Sequence, residues 1–317
     1  MVHLVHGASA RAHRVVALPT AKFHRHLVLA AAAVALVAAQ FASTSLVAAA
    51  DAPSKASTAR TTRDEATRSI PLARLAPEAR EKVTAVLNDT SLYRRLPIET
   101  VDCEPDLFAF VANNPDVMVN IWQLMGVTNV SLDRIDADHF RCSDGDGTTA
   151  KVEVVYRGRD TQVIYAEGFY DGPLFPKTVR GQCVMILKYA SSRAAGGRFE
   201  ETVRLDTFLH VDNIGLEILA KLFQGVVGRT IDHNFGETVA FMGSMSHTAE
   251  TNPRGITRVA ARLNRVDAAR REQFVAVAGG VADKLAGVQS SGGDENPALA
   301  EVIQSSAYAP ATPNGKR

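Results

Sequence analysis

A chain of 317 residues has room for one large or two small domains, and its 46% apolar content is enough to build a core. Lys and Arg number 35 against 34 Asp and Glu, so no net field argues for nucleic acid or an acidic substrate. The three cysteines, Cys103, Cys142 and Cys183, contain no CxxC pair, which leaves redox and zinc-ribbon chemistry without a motif.

The first fifty residues read as a secretory leader. Arg11, Arg14, Lys22 and Arg25 precede an uncharged stretch over 27–50 that ends in small residues suited to cleavage near Ala50. The stretch is also long enough to span a bilayer, so a retained amino-terminal anchor, and with it membrane association, is the alternative. Gln40, Ser43, Thr44 and Ser45 dilute its second half and favour cleavage. Both readings predict export. In an oxidising compartment one disulfide with one thiol left over is open, in any of three pairings; small buried side chains are the simpler reading of the cysteines.

Residues 51–74 are mostly small and polar ("DAPSKASTARTTRDEATR") and predict a disordered linker. A domain is expected over 75–250. It begins with a short surface helix opened by Pro77, with Ala79, Val83, Val86 and Leu87 on one side. Alternation over 96–101 predicts a strand, Pro105 opens a helix over 106–111, and Asn114 is placed to cap a second helix carrying Val117, Ile121, Trp122 and Met125 before Gly126.

The period then changes from about 3.6 to 2. Val130, Leu132 and Ile135 alternate, "SDGDG" supplies a tight turn, and Val152, Val154 and Tyr156 are expected on one face. After "RGRD" comes the strand "TQVIYAEGFY", and Pro173 and Pro176 break the next connection. Cys183, Met185, Leu187 and Tyr189 share one face, as do Val203, Leu205, Leu209 and Val211, opposite Arg204, Asp206 and His210. Five or more strands joined by hairpin-length loops describe an antiparallel meander whose apolar face needs a cover.

That cover is a helix capped by Asn213, with Leu219, Leu222, Phe223, Val227, Ile231, Phe235, Val239 and Met242 in an apolar stripe. Gly215, Gly225, Gly228 and Gly236 weaken it locally, so packing must hold it; glycine there implies close approach to the sheet or a kink, and unfilled volume beside it. A further helical segment over 251–286 offers Val259, Leu263, Val266, Phe274, Val277 and Val281 for docking on the domain or on a partner, and 287–317 reads as a flexible tail.

The order strand, two helices, antiparallel strands and long closing helix, over about 95–248, resembles the helix-grip fold of the START-like superfamily of lipid-transfer, polyketide-cyclase and pollen-allergen-like proteins. The segment "YDGPLFPKTVRGQ…LDTFLHVDNIGLEILAKLFQGVVG…DHNF" is also similar to uncharacterised exported bacterial proteins, which implies no activity. The helix-grip resemblance implies an α+β domain, a curved antiparallel sheet wrapped around a long C-terminal helix, with a hydrophobic cavity between them. Trp122, Tyr156, Met185, Leu187, Leu205, Leu219, Phe223 and Val227 are the expected lining, against the alternative that the same residues simply fill a core.

Catalytic and metal motifs are weak. His233 and Glu237 share a helical face, and His210 precedes Asp212, but an ion pair and a turn explain them more simply. "SDGDG" lacks the remaining ligands of a calcium loop, "MGSMSH" is not a nucleophile elbow, and HExxH is absent. Glu200 and Glu201 alternate on a strand, so only one can face a pocket. The expectation is therefore an exported, non-catalytic binding protein for a hydrophobic small molecule or lipid, with no cofactor. Its rivals are an enzyme of the same fold, marked by polar groups converging in the pocket, and a structural or interaction protein of the envelope, marked by a pocket below roughly 300 Å³.

Overall fold

The computed structural model describes residues 55–173, 175–194, 197–212 and 226–291. The expected leader, the Asn213 cap and the first half of the closing helix, with Leu219 and Phe223, lie outside the described residues, as does most of the tail.

Eight antiparallel strands form one sheet in the order β1-β8-β7-β6-β5-β4-β3, with β2 also paired to β8. The strands are β1 (Leu92–Arg95), β2 (Glu99–Asp102), β3 (Ser131–Arg134), β4 (His139–Ser143), β5 (Thr148–Arg157), β6 (Thr161–Tyr170), β7 (Val179–Arg193) and β8 (Phe199–Val211). From β3 to β8 each strand neighbours the next, which is the expected meander. The one strand expected over 96–101 is instead two, β1 and β2, which pair with successive halves of β8. Pro97 lies between them and, lacking an N–H, interrupts the edge ladder.

The β4–β5 turn is a hairpin. Gly145 and Gly147 have φ of 74° and 116°, and Asp144 Oδ1 accepts from the backbone N–H of Asp146 and Thr148. Further along, β5 and β6 slip register between Val154 and Tyr156.

The helices are α1 (Arg60–Arg68), α2 (Pro77–Asn88), α3 (Pro105–Asn113), α4 (Pro115–Leu124), α5 (Val226–Thr251), α6 (Pro253–Arg262) and α7 (Ala268–Ser291). Asn114 precedes α4, yet its side chain makes no cap. Its Nδ2 donates back to Phe110 O at 2.9 Å and its Oδ1 accepts from Arg134 Nη2 at 3.1 Å, so the arginine takes the oxygen a cap would use. The closing helix α5 runs beyond Met242 because Met245 and Ala249 continue the buried stripe until Asn252 and Pro253 end it.

Both faces of the sheet are covered. The inner face packs against α3, α4, α5, α6 and α7 in one core that includes Trp122, Val152, Met185, Leu205, Phe235, Met242, Leu263 and Phe274. This is the α+β helix-grip arrangement, a sheet holding a long C-terminal helix. Of the two expectations for the segment over 251–286, docking on the domain is the one found: Phe274 of α7 stacks on Phe110 of α3 at 5.8 Å.

The outer face carries a second core, in which Tyr93, Val163, Tyr165, Val184, Ile186 and Phe208 meet Ala66, Ile70, Leu75 and the apolar side of α2. Residues 55–74 are thus not a disordered linker as expected. Ala66, Ile70 and the partly buried Leu72 are enough to seat this segment, because Ser57 pairs with Arg95 through two backbone hydrogen bonds and Arg95 reaches Glu65 at 2.9 Å. With cover on both sides, β6 is buried continuously from Thr161 to Ala166.

Candidate functional site

Between the inner sheet face, α3, α4 and α5 lies a cavity of about 110 Å³. The strands contribute Leu132, Phe140, Val152, Val154, Ile164, Leu187, Val203 and Leu205; α3 contributes Phe108, Val111 and Ala112; α4 contributes Pro115, Met118 and Val119; α5 contributes Phe235, Thr238, Val239 and Met242. Gln162 completes the wall. Among the described residues only Gln162 and Thr238 bring polar side chains to it. Both are engaged: Gln162 Nε2 donates to Asn113 Oδ1 at 3.1 Å, and Thr238 Oγ1 donates to Asn234 O at 2.8 Å.

One end of the cavity is fixed by a buried ion pair. Arg134 of β3 grips Asp116 in the first turn of α4, with Nη2 to Oδ1 at 2.5 Å and Nε to Oδ2 at 3.2 Å, and its guanidinium lies 4.4 Å from the centre of the Phe140 ring. A two-pronged contact of this kind sets the angle at which α4 crosses the sheet edge. Across the cavity, α5 approaches β2 so closely that a Cβ on Gly243 would lie 2.3 Å from Val101 Cγ2. This glycine serves close approach and leaves no space beside it. The volume lies instead along Phe235, Val239 and Met242, on a different side of the helix.

The eight expected lining residues are distributed as follows. Leu187 and Leu205 line the cavity. Trp122 and Met185 are fully buried in the core around it. Tyr156 is on the other face: the register slip after Val154 turns it outward, where it joins the outer core beneath Arg74, 5.0 Å from its ring. Leu219 and Phe223 are outside the described residues, and Val227 falls in α5 at a position whose side chain is not described. The stripe Pro115, Met118, Val119 was legible from its spacing with Trp122 but was not assigned to the lining. Gln162 carried no signal, since a polar residue in a strand reads as solvated.

On the far side of Phe108 is a polar cluster. Phe108 packs on Tyr189 at 5.1 Å, and nearby Glu201, 1% exposed, accepts a hydrogen bond from Ser191 Oγ through Oε1. Its Oε2 is buried and has no hydrogen-bond partner among the described residues. Burial raises the Glu201 and Tyr189 pKa values above their ordinary ranges. None of the three cysteines is in a disulfide and all are buried, and burial pushes the Cys103 and Cys142 thiols up to about 12. Histidines sit in local pairs, His210 with Asp212 at 3.0 Å and His139 with Asp136 at 2.8 Å. Among the described residues no group of three or more His, Cys, Asp or Glu could hold a metal, and no helix is long and apolar enough to cross a membrane.

No protein-family model matches the chain, and comparison with curated proteins gives no match. Solved structures similar to it include a conserved protein from Geobacillus kaustophilus, 11% identical, covering 47% of this chain and 95% of that one at a TM-score of 0.31. Mll3558 from Rhizobium loti is 12% identical over 45% of this chain and 95% of its own, with a TM-score of 0.28. Ara h 8.0201 is 16% identical over 45% and 93%, also at 0.28. The fold assignment rests on this chain's own strand order and helix placement.

Proposed function

We propose that this protein is an exported binding protein for a compact hydrophobic molecule, held without covalent chemistry between the sheet and α5. The observation that carries the reading is the cavity, about 110 Å³ and walled almost wholly by apolar side chains. Space of that size and polarity excludes water and accepts a guest of roughly benzene size. A whole lipid needs several times more volume, so an acyl chain would enter only if α5 moved away from β7 and β8. The leader over 1–50 supports export, with the mature chain starting at about Asp51 or the stretch retained as an anchor.

The test is a thermal melt of the purified protein with and without saturating benzene or toluene, since a guest that binds only the folded state raises Tm by mass action. Val239→Leu, which fills part of the cavity from α5, should abolish the rise while leaving the unliganded protein folded. No shift with any small apolar probe would sink the reading. Amino-terminal sequencing of the exported chain checks the leader, and recovery of the protein only in the cytosol would refute export.

One observation favours a second reading. The cavity is below the roughly 300 Å³ typical of ligand pockets, as expected for a structural or interaction protein of the cell envelope. Failure of the probe experiment moves the assignment there.

A further inference from the structure

Helix α6 carries Arg254, Arg258 and Arg262 at intervals of four residues, and all three are exposed. Its other side, with Ile256, Ala260 and the partly buried Val259, packs into the inner core. Positions four apart share one side of a helix, so the guanidinium groups form a row along about 12 Å of helix axis. No Asp or Glu occurs between Pro253 and Arg262.

None of the three arginines has a hydrogen bond or ion pair with another described residue. The neighbouring acids are used elsewhere: Glu250 pairs with Arg198 at 2.9 Å, Asp133 with Arg265 at 2.6 Å, and Asp267 with Arg270. Glu272, exposed on α7, forms no ion pair with them. The row therefore works against its own helix. Like charges four apart repel, and Arg254 stands in the first turn, where the helix dipole favours an anion. Nothing in the described fold offsets either cost, which points to an anionic partner outside it.

We propose that α6 docks this protein on an anionic lipid surface, with the three guanidinium groups against headgroup phosphates. Arginine meets phosphate through paired N–H donors, and a straight row on one helix meets a plane of charge along its whole length. A protein partner would need an apolar centre to its interface, whereas the exposed positions flanking the row are Thr257 and Ala261. Attraction to anionic phospholipid needs charge alone. The surface is separate from the cavity, and it draws on the export reading only because export takes the chain past a membrane whether the leader is cleaved or kept.

The experiment sediments the full chain with vesicles of phosphatidylcholine alone and of phosphatidylcholine mixed equally with phosphatidylglycerol. The ratio of the two partition coefficients is read, so a retained anchor, which inserts into both, cancels. At low salt the anionic vesicles should be preferred roughly a hundredfold, about fivefold for each arginine, and added salt should erase the preference. Arg254→Gln, Arg258→Gln and Arg262→Gln together should remove it, and the corresponding triple change to Lys should keep most of it. These sites are exposed and unpaired, so both variants should melt at the wild-type Tm. No preference in the wild-type chain, or one that survives the Gln changes, overturns the inference. A preference that emerges only when residues 292–317 are removed assigns the row to Asp294, Glu295 and Glu301 of the tail and overturns it as well.

Discussion

Arg95 Nε donates to Asp206 Oδ1 at 2.7 Å across the β1–β8 pairing on the outer sheet face, with the carboxylate wholly buried. Tyr93 Oη donates to the same oxygen at 2.6 Å, and Glu65 of α1 meets the arginine from outside. The amino-terminal segment is therefore held by charge as well as by Ala66 and Ile70. Asp206→Asn leaves a mostly buried guanidinium short of its main partner and should cost about 3 to 5 kcal/mol by urea denaturation. Ala66→Asp should be comparably harmful, because that side chain is 0% exposed; an unchanged midpoint would show that 55–74 does not belong to the folded body.

Gly243 and Gly236 give opposite expectations on the same helix. A Cβ at Gly243 meets Val101 Cγ2 at 2.3 Å and Asp102 O at 3.0 Å, so Gly243→Ala should destabilise by about 1 to 3 kcal/mol through forced separation of α5 from β2. At Gly236 the nearest atom is the Glu99 carboxylate oxygen at 3.4 Å, a flexible end. Gly236→Ala should gain up to about 0.5 to 1 kcal/mol of helix propensity. Equal effects at the two sites would contradict the close-approach account.

Glu201 gives the fold a pH dependence. Burial raises its carboxyl above the ordinary value of 4.5, so the folded chain holds this proton more tightly than the unfolded chain does. Its contribution is fully present below 4.5 and is lost as pH rises through the folded value. Glu201→Gln keeps a neutral group beside Ser191 and should flatten this decline in unfolding free energy. Parallel wild-type and variant profiles from about pH 4 to 8 would remove the assignment. Glu99, raised by burial and by Asp232, should preserve part of the slope in the variant.

Cys103, Cys142 and Cys183 should not react with an aromatic disulfide reagent in the native protein. Burial raises all three thiols and leaves little thiolate to attack. Denaturant should release all three together. Early reaction of one of them in the native state would mean that the core around it opens locally.

Local sequence was sufficient for whatever depends on neighbours along the chain. Alternation marked the strands from Val130 to Val211, the "SDGDG" turn followed from glycines with positive φ, and Pro105, Pro115 and Gly126 bracketed α3 and α4. The stripe through Ile231, Phe235, Val239 and Met242 required a partner surface, and the meander was the one available. These features are set by backbone sterics and by periodicity, which act within a few residues.

Tertiary structure decided the rest. A single slip between Val154 and Tyr156 moved an expected lining residue to the opposite face, and alternation carries no mark of a bulge. Residues 55–74 look solvated because their few apolar side chains gain a buried face only when α2 and β1 are already beside them. The cavity has no sequence signature at all. Its volume is the mismatch left where side chains from α3, α4, α5 and six strands meet, and packing at that scale is fixed by distances between residues far apart in the chain.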